Sequence, residues 1–94
     1  MYMMAPDVEF DPSKARINLR KHGVGFAEAA TSLADPLAIT VADESGSELR
    51  WVSFGISDSG RLLAVCYTMR SETPRLISAR KATSREKSAY ARRI

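Results

Sequence analysis

The segment RLLAVCYTM, residues 61–69, constrains the fold more than any other stretch of the chain because it is apolar on both faces when extended. A strand with two apolar faces is typical of the interior of a sheet. Turn-forming residues flank it, DSG at 58–60 and SETP at 71–74. The DSG loop is typical of a three-residue hairpin connection ending in glycine. The pattern therefore predicts a central strand in an antiparallel sheet.

Three other segments supply further strands. An alternation of apolar with small or polar residues predicts a half-buried strand over residues 51–56. The segments LAITV (37–41) and RLISARK (75–81) predict two more strands, and VEF (8–10) predicts a short one.

The first predicted helix runs from Pro12 to about His22, with Asp11 as its N-cap and Gly23 as its terminator. At about 100° per residue, one stripe of this helix is expected to face the core. Its members are Ala15, Leu19 and His22. A polar stripe lies beside it and consists of Lys14, Asn18 and Lys21.

Two more helices complete the order of elements. Apolar spacing from Phe26 to Leu33 predicts a short helix closed by DP at 35–36, and TSRE at 83–86 is a capping box that begins a C-terminal helix. The order β-α-α-β-β-β-β-α predicts one α+β domain over residues 1–94. We expect an antiparallel sheet of about four to five strands, two N-terminal helices on one face and a C-terminal helix.

Composition excludes several classes of protein. No stretch approaches the roughly 20 apolar residues of a membrane span, and the opening MYMMAPD is too short for a signal peptide, so we expect a cytoplasmic protein. One cysteine and one histidine exclude the usual zinc sites. Gly-rich phosphate loops and serine-nucleophile motifs are also missing from the sequence. We expect no metal and no cofactor.

Charge is distributed unevenly along the chain. Residues 70–94 hold eight basic and two acidic residues, a net charge of +6, whereas residues 1–69 carry −3. A cationic end indicates an anionic partner, either nucleic acid, an acidic protein or a membrane surface. A solvated basic helix would give the same pattern.

Two segments concentrate residues that could do chemistry. His22 follows Lys21 and could act as an acid or base, or cap the helix C-terminus. In the last strand, a period of two places Leu76, Ser78 and Arg80 on one face, and Arg75, Ile77, Ala79 and Lys81 on the other. Because RNA carries its own nucleophile, the 2′-hydroxyl, such cations with a histidine could cleave it without a metal.

Two separated motifs resemble the BrnT family of bacterial toxins. The opening motif supplies ten matching positions: Asp11, Pro12, Lys14, Asn18, Lys21, His22, Gly23, Val24, Phe26 and Ala29. The closing motif supplies eight: Arg75, Ile77, Ser78, Ala79, Arg80, Ala82, Glu86 and Tyr90. Glu48 and Arg50 match a further E-x-R motif. The chain departs from many relatives in two places, since it has no histidine before Arg50 and has Tyr67 where others have histidine.

The resemblance implies a RelE-like fold and a ribonuclease that arrests translation. It also implies neutralisation by a BrnA-type antitoxin, a ribbon-helix-helix protein through which alone the complex would bind operator DNA and repress its operon. We expect no role at a membrane. The alternatives are a catalytically weak homologue that serves as an antitoxin-binding corepressor, and a plain RNA-binding domain.

The resemblance also directs attention to particular side chains. The candidate catalytic residues are Arg50, Arg80, Lys81, His22 and Tyr90. The candidate RNA-binding residues are Lys14, Lys21, Arg75 and Arg85. Guanidinium groups match phosphate oxygens, so Arg50 and Arg80 are expected to carry the phosphorane charge. His22 is expected to fix the helix end and orient neighbouring cations. Asn18 and Tyr90 could instead tie the helices to the sheet.

Overall fold

A computed structural model describes residues 8–93, and the N-terminal MYMMAPD lies outside this range. The elements are α1 (Pro12–His22), α2 (Phe26–Ser32), β1 (Ile39–Asp43), β2 (Arg50–Ile56), β3 (Leu62–Arg70), β4 (Thr73–Lys81) and α3 (Ser84–Arg93). The predicted α+β class is confirmed, with two N-terminal helices and one C-terminal helix around a four-stranded sheet.

The sheet has the order β1-β2-β3-β4, and every neighbouring pair is antiparallel. β3 is therefore an internal strand, as its two apolar faces predict. The β2–β3 hairpin closes through a hydrogen bond from Ser57 N to Arg61 O, and Gly60 adopts a φ of 86° in its loop. The β3–β4 connection is tighter than predicted, because only Ser71 and Glu72 separate the strands.

The predicted strand over residues 8–10 does not form as such. Glu9 makes a single parallel bridge to Arg75 on the outer edge of β4. Its N–H donates to Pro74 O and its carbonyl accepts from Leu76 N, each at 2.9 Å. One bridge covers part of an exposed strand edge without extending the sheet by a strand.

The hydrophobic core lies between the sheet and the first two helices. Its buried members are Val24, Phe26, Ala29, Leu63, Val65, Leu76 and Ala79. On β2 the residues facing α2 are small, because the chains approach closely there. A Cβ on Gly55 would lie 2.4 Å from Ser32 O, so only glycine fits.

The predicted bounds of α1 are confirmed, but its inward stripe is wrong at one position. Leu19 is 54% exposed, whereas Asn18 is buried. Asn18 donates to Val24 O and Ala79 O at 2.9 Å and accepts from Ala79 N at 3.1 Å. Because the side-chain amide satisfies the free edge of β4, a polar residue takes the position that hydrophobic periodicity assigns to leucine.

The predicted faces of β4 are also wrong, because the strand contains a bulge. The pairing with β3 shifts between Cys66, which lies opposite Ser78, and Tyr67, which lies opposite Leu76. The shift leaves Ile77 without a partner in the register. It brings Leu76 and Ala79 into the same core and places Arg75 on the face that carries Ser78 and Arg80.

The C-terminal helix begins at the predicted capping box. Glu86 accepts from Thr83 N at 2.8 Å, and Thr83 Oγ1 accepts from Glu86 N at 3.2 Å. Farther along α3, Tyr90 packs with Leu62 and Ala82 in a second small cluster. No helix within residues 8–93 is long and apolar enough to cross a bilayer.

Candidate nucleic-acid interface

The sheet face opposite α1 and α2, which we name the open face, carries several cations. Cross-strand partners share a face, so Cys66 lies beside Val52 and Ser78. The period of two and the bulge then add the arginines of β2 and β4 to this face. They are Arg50, Arg75 and Arg80. Val41, opposite Val52 on β1, is 46% exposed, so this part of the face is accessible.

A small pocket lies where α1 meets β4, and we name it the α1 pocket. It encloses about 180 Å³. Its α1 side is formed by Lys14, Ile17, Asn18, Lys21 and His22, and its β4 side by Ile77 and Ser78. Lys14 and Lys21 are exposed and form no ion pair with any residue between 8 and 93. Three predicted site residues therefore meet here, and the positive charge of the two lysines is available to a ligand.

Asn18 fixes the geometry of the α1 pocket. Its hydrogen bonds join the middle of α1 to β4 and to the turn that follows Gly23. The side chains one turn before and after it are Lys14 and Lys21. The expectation that Asn18 ties a helix to the sheet agrees with these bonds, and the same bonds set the distance of the cations from Ser78.

His22 is half-buried in the α1 pocket. The end of α1 is closed by Gly23, whose φ is 71° and whose N–H donates to Leu19 O. Among residues 8–93 the imidazole of His22 has no hydrogen-bond partner. The backbone thus terminates the helix without a bond from this ring.

Arg50 lies at the start of β2, opposite Asp43 on β1. Its Nε is buried and has no hydrogen-bond partner within the described residues. Nearby, burial raises the pKa of the Cys66 thiol, and the positive charge of Arg50 opposes that rise. Because this Nε is buried, a phosphate oxygen could be bound only by the terminal nitrogens of the guanidinium.

Arg80 is held by α3. Its two terminal nitrogens donate to the two carboxylate oxygens of Glu86 at 2.9 and 3.0 Å, and one of them also donates to Lys81 O at 3.3 Å. The bond from Arg80 lowers the pKa of Glu86 to about 2 against the opposing effect of burial. Both terminal nitrogens of Arg80 are engaged, so its charge is largely neutralised in this state.

The remaining predicted residues are spread over the surface. Tyr90 donates its hydroxyl to Asp35 Oδ2, and this bond and burial raise its pKa to about 12. Lys81 and Arg85 are exposed near α3. Arg75 lies 3.9 Å from the carboxylate of Glu9, a weak and exposed ion pair. The structure thus brings Lys14, Lys21 and His22 together but leaves Lys81, Arg85 and Tyr90 outside the α1 pocket.

A charged cluster on the β2–β3 hairpin escaped the sequence analysis. Arg61 donates Nε to Glu28 at 2.9 Å and Nη2 to Gly23 O at 3.2 Å, and the hydroxyls of Ser57 and Ser59 also donate to Glu28. The bond from Arg61 lowers the pKa of Glu28 to about 2. This cluster joins α2 and the hairpin to the end of α1. No local pattern could reveal it, because its members are about 30 residues apart.

No group of three or more His, Cys, Asp or Glu side chains within residues 8–93 is arranged to hold a metal ion. The donors of the α1 pocket and the open face are mainly lysine and arginine, which repel cations and bind anions. Their chemistry is that of a phosphate-binding surface.

Comparisons with known proteins agree with this description. A family model described as the ribonuclease toxin BrnT of type II toxin–antitoxin systems matches residues 10–86. The crystal structure of the Brucella abortus ribonuclease toxin BrnT superposes with a TM-score of 0.61 at 23% identity, covering 85% of this chain and 100% of that one. No curated protein matches the chain. The similarity to the solved toxin supports the fold.

Proposed function

The chain belongs to the BrnT family of ribonuclease toxins of type II toxin–antitoxin systems, and from that premise we propose that it cleaves RNA internally, without a metal ion, and so arrests translation. The observation that carries this proposal is the α1 pocket. Lys14 and Lys21, which form no ion pair within residues 8–93, and His22, whose ring has no hydrogen-bond partner in that range, line one small cavity beside the open face. Such a set can hold a phosphate and move a proton.

The proposed reaction uses the nucleophile of the substrate. The 2′-hydroxyl gives up its proton as its oxygen bonds to the neighbouring phosphorus. The bond from phosphorus to the 5′-oxygen breaks, this oxygen takes up a proton and leaves as a 5′-hydroxyl, and a 2′,3′-cyclic phosphate remains. His22 transfers a proton in this exchange, and Lys14 and Lys21 stabilise the negative charge on the phosphorane oxygens. The free ring nitrogens of His22 favour proton transfer over the supporting role expected from the sequence.

We assign the other candidates by their partners in the structure. Arg50 lies on the open face and is proposed to bind a phosphate oxygen beside the scissile bond through its terminal nitrogens. Arg75 and Arg85 are proposed to bind the RNA backbone farther along. Arg80 and Tyr90 are engaged by Glu86 and Asp35, so their contribution requires that these bonds open when RNA binds. Lys81 is proposed to assist Arg80.

A type II system includes a protein antitoxin, and we propose a BrnA-type ribbon-helix-helix protein in that role. The cationic surface supports an acidic partner, which would cover the groups that meet RNA. Operator DNA would be bound only through this antitoxin. Association steered by charge should slow markedly as salt rises.

A catalytically weak corepressor is the second candidate. Two observations favour it. Tyr67, which stands where relatives have histidine, packs against the core, and burial raises its pKa. The loop before Arg50 carries no histidine. These absences remove two groups that could transfer protons.

One assay separates these functions. The purified protein is incubated with a 5′-labelled RNA in the presence of EDTA, and the ends of the products are identified. We expect internal cleavage, unaffected by EDTA, with cyclic or 3′-phosphate ends. Cleavage that vanished with EDTA and returned with Mg²⁺ would contradict the metal-independent mechanism. Absence of cleavage beside tight antitoxin binding would favour the corepressor.

A further inference from the structure

A second and larger pocket, which we name the α3 pocket, lies between the β2–β3 hairpin and α3. It encloses about 440 Å³, within the range of about 300–1,000 Å³ that is typical of ligand sites. Ile56, Leu62 and Tyr90 form an apolar floor, and Arg61, Lys81 and Lys87 bring three positive charges. None of its lining residues lines the α1 pocket.

The charges around this pocket differ in their availability. Arg61 is committed to Glu28 and to Gly23 O. Lys81 and Lys87 form no ion pair with any residue between 8 and 93, and both are exposed. The α3 pocket therefore presents an apolar floor next to two unpaired ammonium groups. Its ligand should combine an apolar group with nearby negative charge.

The floor is poorly suited to a nucleobase. Tyr90 is only 8% exposed, so its ring offers little surface for stacking, and its hydroxyl is already bound to Asp35. The accessible apolar surface of the floor comes mainly from Ile56, which is 37% exposed. A base would place part of its polar edge against the aliphatic side chains of Ile56 and Leu62, which offer no hydrogen bond. An aliphatic side chain carries no such polar groups and gains from burial there.

We propose that the α3 pocket binds an acidic peptide segment of a partner protein, with an aliphatic side chain on the floor and carboxylates on Lys81 and Lys87. This inference rests on the proposed function only in that the partner is identified with the antitoxin. The α3 pocket would hold the partner at a site separate from the α1 pocket. A partner bound there would cover Lys81, which is among the groups proposed to meet RNA.

The test is an NMR titration of the ¹⁵N-labelled full chain. The probe is the peptide Ac-EELLEE-NH₂, and the matched control is Ac-EESSEE-NH₂, which has the same charge but no aliphatic group. We expect saturable amide shifts at Leu62, Lys81 and Lys87, and affinity for the serine peptide about tenfold weaker. Shifts confined to Lys14 and Lys21, or no saturation at millimolar peptide, would overturn the proposal.

A nucleic-acid occupant is tested in the same experiment. The single strand dT₆ carries phosphates but no 2′-hydroxyl, so it is not cleaved. We expect it to shift the amides of the α1 pocket more than those of the α3 pocket. If dT₆ moved Leu62 and Lys87 more than the leucine peptide does, the α3 pocket would be a nucleotide subsite, and the peptide proposal would be wrong.

Two variants on α3 test the role of charge. Lys87→Glu should weaken binding of the leucine peptide about tenfold, whereas Arg92→Glu, the same charge change on the same helix outside the pocket, should weaken it far less. Equal effects would overturn the specific contact. RNA cleavage by Lys87→Glu should equal that of wild type. If the wild-type protein did not cleave RNA, the proposed function would be wrong, but the result of the titration would still hold. If the titration failed while cleavage was intact, only the proposal for the α3 pocket would be wrong.

Discussion

Arg80 and the lysines of α1 lie near the same strand, yet their charges are used differently. Arg80 binds both carboxylate oxygens of Glu86, whose carboxylate also caps α3. Lys14 and Lys21 form no ion pair within residues 8–93, and they share the α1 pocket with His22. A paired charge such as that of Arg80 holds two elements together, whereas charges such as those of Lys14 and Lys21 remain available to an anion.

This difference predicts which substitutions alter activity and which alter stability. Changes at Lys14, Lys21 and His22 in the α1 pocket should reduce cleavage and leave folding intact. Changes at the β4–α3 corner should lower stability and reduce cleavage less than changes at His22. Each of the substitutions that follow tests this division between activity and stability.

The largest effect is expected at His22. His22→Gln should lower the rate of RNA cleavage by about 10²–10⁴-fold, because glutamine cannot transfer the proton. Its melting temperature should match that of wild type, since the ring makes no hydrogen bond within the described residues. The measurements are single-turnover cleavage and thermal unfolding. Arg80→Ala is the matched comparison, and a toxic His22→Gln beside a folded but inactive Arg80→Ala would reverse the assigned roles.

The next effect concerns Asn18, which joins α1 to β4. Asn18→Leu should lower the free energy of unfolding by about 3 kcal/mol, because it leaves the N–H and C=O of Ala79 and the carbonyl of Val24 without this partner. Urea denaturation measures the change. Leu19→Ala is the control and should cost less than about 0.5 kcal/mol, because Leu19 is 54% exposed. A larger loss of stability in Leu19→Ala than in Asn18→Leu would support the stripe predicted from the sequence, in which Leu19 faces the core.

Local signals in the sequence predict most of the secondary structure. The ends of α1 follow from Asp11, Pro12 and Gly23, and the start of α3 follows from the capping box. These features depend on residues within a few positions of one another, so a local sequence pattern is enough to predict them. The antiparallel meander follows in the same way from short turns between apolar segments.

The errors arise where structure depends on distant pairing. The bulge at Ile77 is set by the register between β3 and β4, and it moves Arg75 to the other face of the sheet. Asn18 turns inward because it meets Ala79, which lies 61 residues away. The same dependence on distant contacts limits how much of the candidate site the sequence can predict. Lys14, Lys21 and His22 could be grouped from helical spacing, but the partners that occupy Arg80 and Tyr90 could be seen only in the fold.

Acid should affect the paired charges first. The pKa values of Glu28 and Glu86 are held at about 2 by Arg61 and Arg80, below the ordinary value of 4.5. Because these folded-state values are lowered, the stabilisation is complete above about pH 4.5 and is lost as the pH falls toward 2. We expect the melting temperature to fall across that window. Glu86→Gln should melt lower at pH 7 yet lose less on acidification, and an unchanged acid slope would show that Glu86 does not contribute.

The smallest effect is expected at Glu9, whose carboxylate lies 3.9 Å from Arg75 with both side chains more than a third exposed. Glu9→Gln should change the free energy of unfolding by less than about 0.5 kcal/mol, because such pairs contribute little in water. It should nevertheless tighten binding of dT₆ by about twofold at low salt, because it removes a negative charge beside Arg75 on the open face. Glu72→Gln, the same charge change in the β3–β4 turn, is the control for a general charge effect. Equal tightening in both variants would show that net charge alone is responsible. Tightening only in Glu9→Gln would show that Arg75, like the lysines of the α1 pocket, binds the nucleic acid.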